Sequence, residues 1–129
     1  MINVPKISVC LASYNGQLFI KKQVKSILDQ LKDNDELIII DDCSTDKTVS
    51  TLNEIKDKRI KLFKNEINLG VNKTFEKSVQ LSSGDYIFLS DQDDIWIPGR
   101  IDLMVKKMND NNVDLISSNF VWINENDFQ

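Results

Sequence analysis

The stretch YIFLSDQDDIW, residues 86–96, passes within a few positions from an apolar run into Asp91, Gln92, Asp93 and Asp94. Carboxylates this close repel one another, and a helix cap needs only one acid. Hard divalent cations favour such oxygen donors, and Mg²⁺ or Mn²⁺ is commonly held by one or two carboxylates together with substrate phosphates. While the chain stays extended, Asp91 and Asp93 project to the same side, so one can hold a metal and the other orient a substrate. Asp41 and Asp42 follow a second apolar run, residues 37–40. Taken alone, that pair also reads as a strand terminator and helix cap. Neither G-x-x-x-x-G-K-[ST] nor a G-x-G-x-x-G after the first strand is present, which leaves a cation as the main neutraliser of any bound diphosphate.

The elements that must position these acids alternate along the chain. Residues 7–12 (ISVCLA) read as a β-branched strand ending in Ser13, Tyr14, Asn15 and Gly16. Ile20, Val24, Ile27, Leu28 and Leu31 then recur at helical spacing. Residues 37–40 form the near-continuous apolar run of a strand covered on both faces. Ser44, Thr45 and Asp46 are N-cap candidates for a helix through Val49, Leu52 and Ile55. Strand three is expected at 60–63, a turn at Asn68-Leu69-Gly70, a helix carrying Phe75 and Val79, and strand four at 86–89. Pro98 suits the first turn of a helix through Ile101, Met104, Val105 and Met108, and 113–116 reads as a fifth strand. This order predicts an α/β fold, a mostly parallel sheet with flanking helices and right-handed crossovers. Ligands of such sheets bind outside the carboxyl ends of the strands, where strand order reverses. All five acids, Asp41, Asp42, Asp91, Asp93 and Asp94, would gather along that rim.

Other residues near the rim have plain structural readings. Asn68 and Gly70 are turn formers, Lys73 is a solvated helix charge within reach of a phosphate, and Tyr14 is a half-buried aromatic or a stacking ring. Trp96 and Trp122 are expected in a core or an interface.

Composition narrows the function class. At 129 residues, 41% hydrophobic and 28% charged, the chain suits one folded domain with one core, here 1–129. A net charge of −4 with scattered Lys and Arg lacks the basic face that nucleic acid requires. There is no His, and Cys10 and Cys43 show no C-x-x-C spacing, so neither a zinc site nor a disulfide framework is indicated. Reduced thiols, no apolar run long enough for a bilayer and no export signal together predict a cytoplasmic protein.

The blocks ISVCLASYNG, ELIIIDDCSTDKT, NEINLGVNKTF and GDYIFLSDQDDIW, in this order and at these separations, resemble the nucleotide-sugar-binding half of an inverting family 2 glycosyltransferase with the GT-A, Rossmann-like fold. The likeness spans residues 6 to about 120. The ending Asp-Gln-Asp-Asp-Ile-Trp further resembles the bacterial branch that includes rhamnosyltransferases and other enzymes of surface polysaccharide synthesis, such as capsule and O-antigen. The resemblance implies a base pocket lined by Ala12 and Tyr14, with the Tyr14 ring on the nucleobase. It implies that Asp42 hydrogen-bonds the base with Asp41 beside it, and that Asn68, Gly70 and Lys73 border base and diphosphate. Asp91 would lie near the ribose and donor sugar, Asp93 would ligate the metal together with Asp91, and Asp94 would support that ligand. Mn²⁺ or Mg²⁺ is the implied cofactor, a UDP- or dTDP-sugar the donor, and a saccharide or lipid-linked saccharide the acceptor. A lipid-linked acceptor would bring the whole enzyme to the inner face of the plasma membrane.

In that family an acceptor hydroxyl displaces the nucleoside diphosphate in line, deprotonated by an Asp or Glu from the acceptor-binding half. That base is expected beyond Gln129, so no residue here is assigned as catalytic, and the chain reads as a C-terminally truncated donor-binding domain with little or no transfer activity of its own. A nucleotidyltransferase is the second enzymatic reading, although the Gly-rich basic loop usual after strand one is missing. An inactive nucleotide- or carbohydrate-binding module is the third.

Overall fold

The computed structural model describes residues 3–124 and 126. Strands and helices alternate: β1 (Ile7–Ser13), α1 (Ile20–Leu28), β2 (Glu36–Asp41), α2 (Thr48–Glu54), β3 (Ile60–Lys64), α3 (Val71–Leu81), β4 (Tyr86–Ser90) and α4 (Arg100–Asn111). The four strands form one parallel sheet in the order β3-β2-β1-β4. Chain order runs outward from β1 through β2 to β3 and then returns to the other side of β1 as β4. The topological switch point therefore lies between the carboxyl ends of β1 and β4.

β2 is buried at every residue because helices cover both of its faces, which is why its sequence is apolar without alternation. On one face Val9, Leu11, Leu37, Ile39 and Phe88 meet Ile20, Val24 and Ile27 of α1, Leu52 of α2, Ile101 and Met104 of α4, and Trp96. Losing any one of these larger side chains to Ala would cost about 2–5 kcal/mol. α3 packs on the other face against β1 and β2. Its buried residues, Thr74 and Ser78, are small and let it sit close to the sheet. Burial there raises the pKa of the Cys10 thiol, and both Cys10 and Cys43 are free. In register with Ser8 and Cys10, Ile87 and Leu89 of β4 face the same side, beyond the cover of α3, and are 43% and 54% exposed.

Two expectations, a strand at 113–116 and the N-cap of α2, need correction. Residues 113–116 form no strand: Val113 and Leu115 are exposed, only Ile116 of the four touches the core, and among the described residues no ladder forms on the outer edge of β4. A short apolar run becomes a strand only where a neighbour satisfies its backbone. Trp96 is core at 5% exposure, but Trp122 is 87% exposed, stacked edge-on against Phe120 with centroids 5.3 Å apart. The cap of α2 is Lys47 and makes no side-chain bond, while Asp46 accepts the Thr48 amide at 2.9 Å from one position earlier. Among the described residues no helix is long and apolar enough to cross a membrane.

The amino end of the sheet is closed by Glu36, which is 2% exposed. Its carboxylate accepts from Ser8 Oγ at 2.6 Å, Ser83 N at 2.7 Å and Lys61 Nζ at 2.6 Å. Burial alone would raise its pKa; the bonds from Lys61, Ser8 and Ser83 outweigh this and hold it at about 2. A carboxyl depressed in the folded state stabilises above its unfolded pKa and loses that stabilisation as pH falls towards the folded value. Folding stability should thus drop between the ordinary Glu range near 4.5 and about 2, by on the order of 3 kcal/mol from this group. Denaturant titrations across that window should show a shallower acid limb for Glu36→Gln; parallel limbs in the two proteins would remove Glu36 from that role.

Candidate functional site

All strands point the same way, so every polar segment singled out in the sequence leaves from one edge. Ala12 lies near the end of β1, paired with Ile40, and Ser13 is paired with Asp41. Asn15 and Cys43 both adopt left-handed backbone, with φ of 47° and 67°, in the turns that follow β1 and β2. Non-glycine residues seldom adopt that conformation, Asn more readily than most, and here bonds from the neighbouring turn hold it. Asn15 Oδ1 accepts the Thr45 amide at 2.8 Å, Ser44 Oγ accepts the Asn15 amide at 2.8 Å, and Thr48 Oγ1 accepts the Gly16 amide at 2.8 Å. Hydrogen bonds thus lace the turn after β1 to the turn after β2.

Asp41 and Asp42 serve that framework from below. Asp41 is fully buried and accepts from Ser13 Oγ at 3.0 Å and the Ser44 amide at 2.9 Å. Asp42 is 5% exposed and holds the approach to α3. Its Oδ1 accepts the Leu69 amide at 2.7 Å and Asn65 Nδ2 at 2.9 Å; Oδ2 accepts the Gly70 amide at 2.9 Å. Asn68 Nδ2 donates to the Asp42 carbonyl at 3.1 Å. Burial pushes the Asp42 pKa upward, but the Leu69 amide, the Asn65 side chain, the Gly70 amide and the Thr74 hydroxyl together hold it below the ordinary value. Gly70 sits at φ 85°, a conformation that a side chain would strain, and it starts α3. Lys73 is exposed in the first turn of that helix.

The acids after β4 are in a different state. The chain turns at Gln92 and Asp93, so the extended geometry expected for Asp91 and Asp93 does not hold. Asp91, Asp93 and Asp94 are all exposed. Desolvation, then the charges of Asp94 and Asp93, raise the Asp91 pKa. Desolvation and Asp93 raise that of Asp94, partly offset by Arg100. Arg100 lies over the Trp96 ring, 5.1 Å from its centroid, and Trp96 N donates to Ser26 Oγ at 3.0 Å. The indole also tilts against Phe88 at 5.6 Å. Trp96 thereby anchors the far end of the acidic turn in the core.

Two groups result in place of one rim of five acids: Asp41 and Asp42 are buried and satisfied by protein donors, whereas Asp91, Asp93 and Asp94 crowd one another at the surface. Among the described residues no three acids, cysteines or histidines converge tightly enough to cage an ion alone. Crowded, exposed carboxylates nonetheless suit a hard cation that takes one or two protein oxygens and completes its shell from phosphate and water. Asp91 and Asp93 are the residues that would hold it. Cavities of about 360 and 370 Å³ flank α4, and neither is lined by any of the five acids.

Gln92 and Asn65 escaped sequence reasoning. Gln92 Oε1 accepts the Tyr14 amide at 2.9 Å and its Nε2 donates to the Tyr14 carbonyl at 2.8 Å. This joins the exposed Tyr14 directly to the acidic turn. The only sequence signal was Gly16, read simply as a turn former.

Comparison with known proteins adds a relationship to this geometry. The family model for glycosyl transferase family 2 matches residues 8–129. Escherichia coli UDP-Glc:alpha-D-GlcNAc-diphosphoundecaprenol beta-1,3-glucosyltransferase WfgD is 34% identical over 120 residues, 93% of this chain and 47% of that protein. The chain thus spans about half the length of that relative. Staphylococcus aureus TarS 1–349, solved in complex with UDP, superposes with a TM-score of 0.75 at 24% identity, covering 83% of this chain and 33% of that one. Mannosyltransferase PcManGT from Pyrobaculum calidifontis, in complex with GDP-Man and Mn²⁺, gives 0.74 at 22% identity, covering 81% and 32%. These superpositions establish the GT-A fold.

Because Asp42 gathers the Leu69 and Gly70 amides, Asp42→Asn should destabilise the chain by about 2–4 kcal/mol, since an amide nitrogen would then face N–H donors. Hydrogen exchange at Leu69 and Gly70 should accelerate beyond the global change. Protection at those two amides that falls only in step with global stability would show that Asp42 does not hold this segment.

Proposed function

From the chain's membership of glycosyl transferase family 2, we propose that the rim between β1 and β4 binds the nucleoside diphosphate of a sugar donor together with Mn²⁺ or Mg²⁺. One observation carries this reading: the surface acids Asp91, Asp93 and Asp94 crowd one another at the topological switch point, while the neighbouring acids Asp41 and Asp42 are consumed by structure. An electrostatic liability left in place beside a ligand crevice suits a site that a cation completes.

The residues divide the donor between them. Ala12 and Tyr14 face the base, with the exposed Tyr14 ring available to pack on it. Asp42 has both oxygens on the 65–70 segment, so its part in base recognition is to hold Asn68 and Gly70 in place as much as to meet the base itself. Lys73, exposed in the first turn of α3, is assigned to the phosphates. Asp91 orients the ribose and sugar and shares the metal with Asp93, and Asp94 supports them. When bound, the cation neutralises charge that grows on the departing diphosphate.

Transfer itself, with inversion at the sugar, is proposed for the whole protein, and no residue of this chain is assigned as its base. A UDP- or dTDP-sugar donor and a lipid-linked saccharide acceptor, met at the cytoplasmic membrane face during bacterial surface polysaccharide synthesis, are the partners we favour. The relative WfgD, named for a glucosyl transfer to a diphosphoundecaprenol-linked sugar, supports this.

Calorimetric titration with UDP and dTDP, with and without Mn²⁺, tests the reading. Binding should require metal, and Asp93→Asn should weaken it at least about tenfold, or roughly 1.4 kcal/mol. Metal-independent binding, or equal affinity in the two proteins, would take Asp93 out of the site.

A further inference from the structure

The β1–β4 ladder ends at Leu11 and Ser90. Beyond it, one side chain continues the pairing. Gln92 offers Tyr14 an acceptor and a donor, at 2.9 and 2.8 Å, so its primary amide stands in for the peptide group of a next rung. The fit is tight. A Cβ built on Gly16 would lie 2.2 Å from Gln92 Oε1 and 2.6 Å from Cδ. Gly16 is buried, and its φ lies outside the left-handed region, so a side chain there is opposed by Gln92 and not by the backbone, and a Cβ would have to displace the Gln92 amide.

We infer that Gln92 is a positioning residue: by locking its amide to Tyr14 it sets the separation between the base-facing turn after β1 and the diphosphate-facing acids that flank it, Asp91 and Asp93. Gly16 is glycine to admit that amide. The inference deepens the donor-site reading and rests on it. Asn would be too short to span the gap, Glu cannot donate to the Tyr14 carbonyl, and Met keeps the length of Gln without either bond.

A nucleoside diphosphate must touch both turns at once, whereas pyrophosphate needs only the acids. Losing the lock leaves each turn usable but frees their relative placement, so the cost falls on the ligand that bridges them. The readout is therefore the ratio of UDP to pyrophosphate affinity in Mn²⁺, measured by calorimetry on the whole chain. In Gln92→Ala and Gln92→Met the ratio should fall about tenfold, with pyrophosphate affinity held within about twofold. Gly16→Ala should lower the ratio similarly, yet add nothing in a Gln92→Ala background, because the clash is gone. Gln92→Met preserves bulk at the rim and serves if Gln92→Ala unfolds.

A ratio unchanged in both Gln92 variants, or additive effects of the Gly16 and Gln92 substitutions, would overturn the inference while leaving the donor site standing. A wild-type chain that binds UDP no better than pyrophosphate would overturn the donor-site reading and this inference with it.

Discussion

Every feature of the rim follows from the strands being parallel. Parallel neighbours need crossover helices, so each strand must leave the sheet at the same edge and re-enter at the other. In the order β3-β2-β1-β4 the turns after β1, β2 and β4 become neighbours in space, although the first and last are separated by most of the chain. Side chains from these turns then have to satisfy one another's backbone. Asn15, Ser44, Thr48 and Asp42 do so with bonds that cross between segments.

The two ends of the sheet handle buried charge alike and surface charge differently. Glu36 at the amino end and Asp42 at the carboxyl end are both nearly inaccessible, and both are held ionised by several donors that outweigh the cost of desolvation. Those carboxylates organise backbone. Past β4, donors of that kind are scarce: Arg100 offsets only part of the repulsion at Asp94, and burial lowers its own pKa while the indole of Trp96 takes its face. Charge left uncompensated in one place beside charge fully compensated in another separates ligand-facing residues from scaffold.

Rigid anchors surround the acidic turn. Ser90 Oγ accepts from the buried Gln23 at 2.7 Å and donates to the Asp91 carbonyl at 3.0 Å, which holds the start of the turn. Trp96 in the core holds its end. Between them Gln92 reaches across to Tyr14, so the exposed acids stand on a short segment fixed at three points. Such support is what a site needs if it is to meet a multiply charged ligand without reorganising.

Apolar runs together with turn and cap residues were enough to locate the four strands and four helices, although the same reading supplied a fifth strand at 113–116 and missed that α3 buries Thr74 and Ser78. The acids were legible locally as well: three carboxylates in four positions are costly wherever they occur. What the chain could not disclose one residue at a time was which acids remain available. Asp42 and Asp93 look alike in sequence, and only folding brings the Leu69 and Gly70 amides to the first and leaves the second in solvent. Residues 113–116 carried strand-like composition, yet only Ile116 reaches the core, and Trp122 meets Phe120 at the surface. Gln92 stayed hidden because its partner is 78 residues away. Hydrogen bonds between distant segments leave no period in the sequence, so tertiary structure alone decided the partners, and through them the division between scaffold and site.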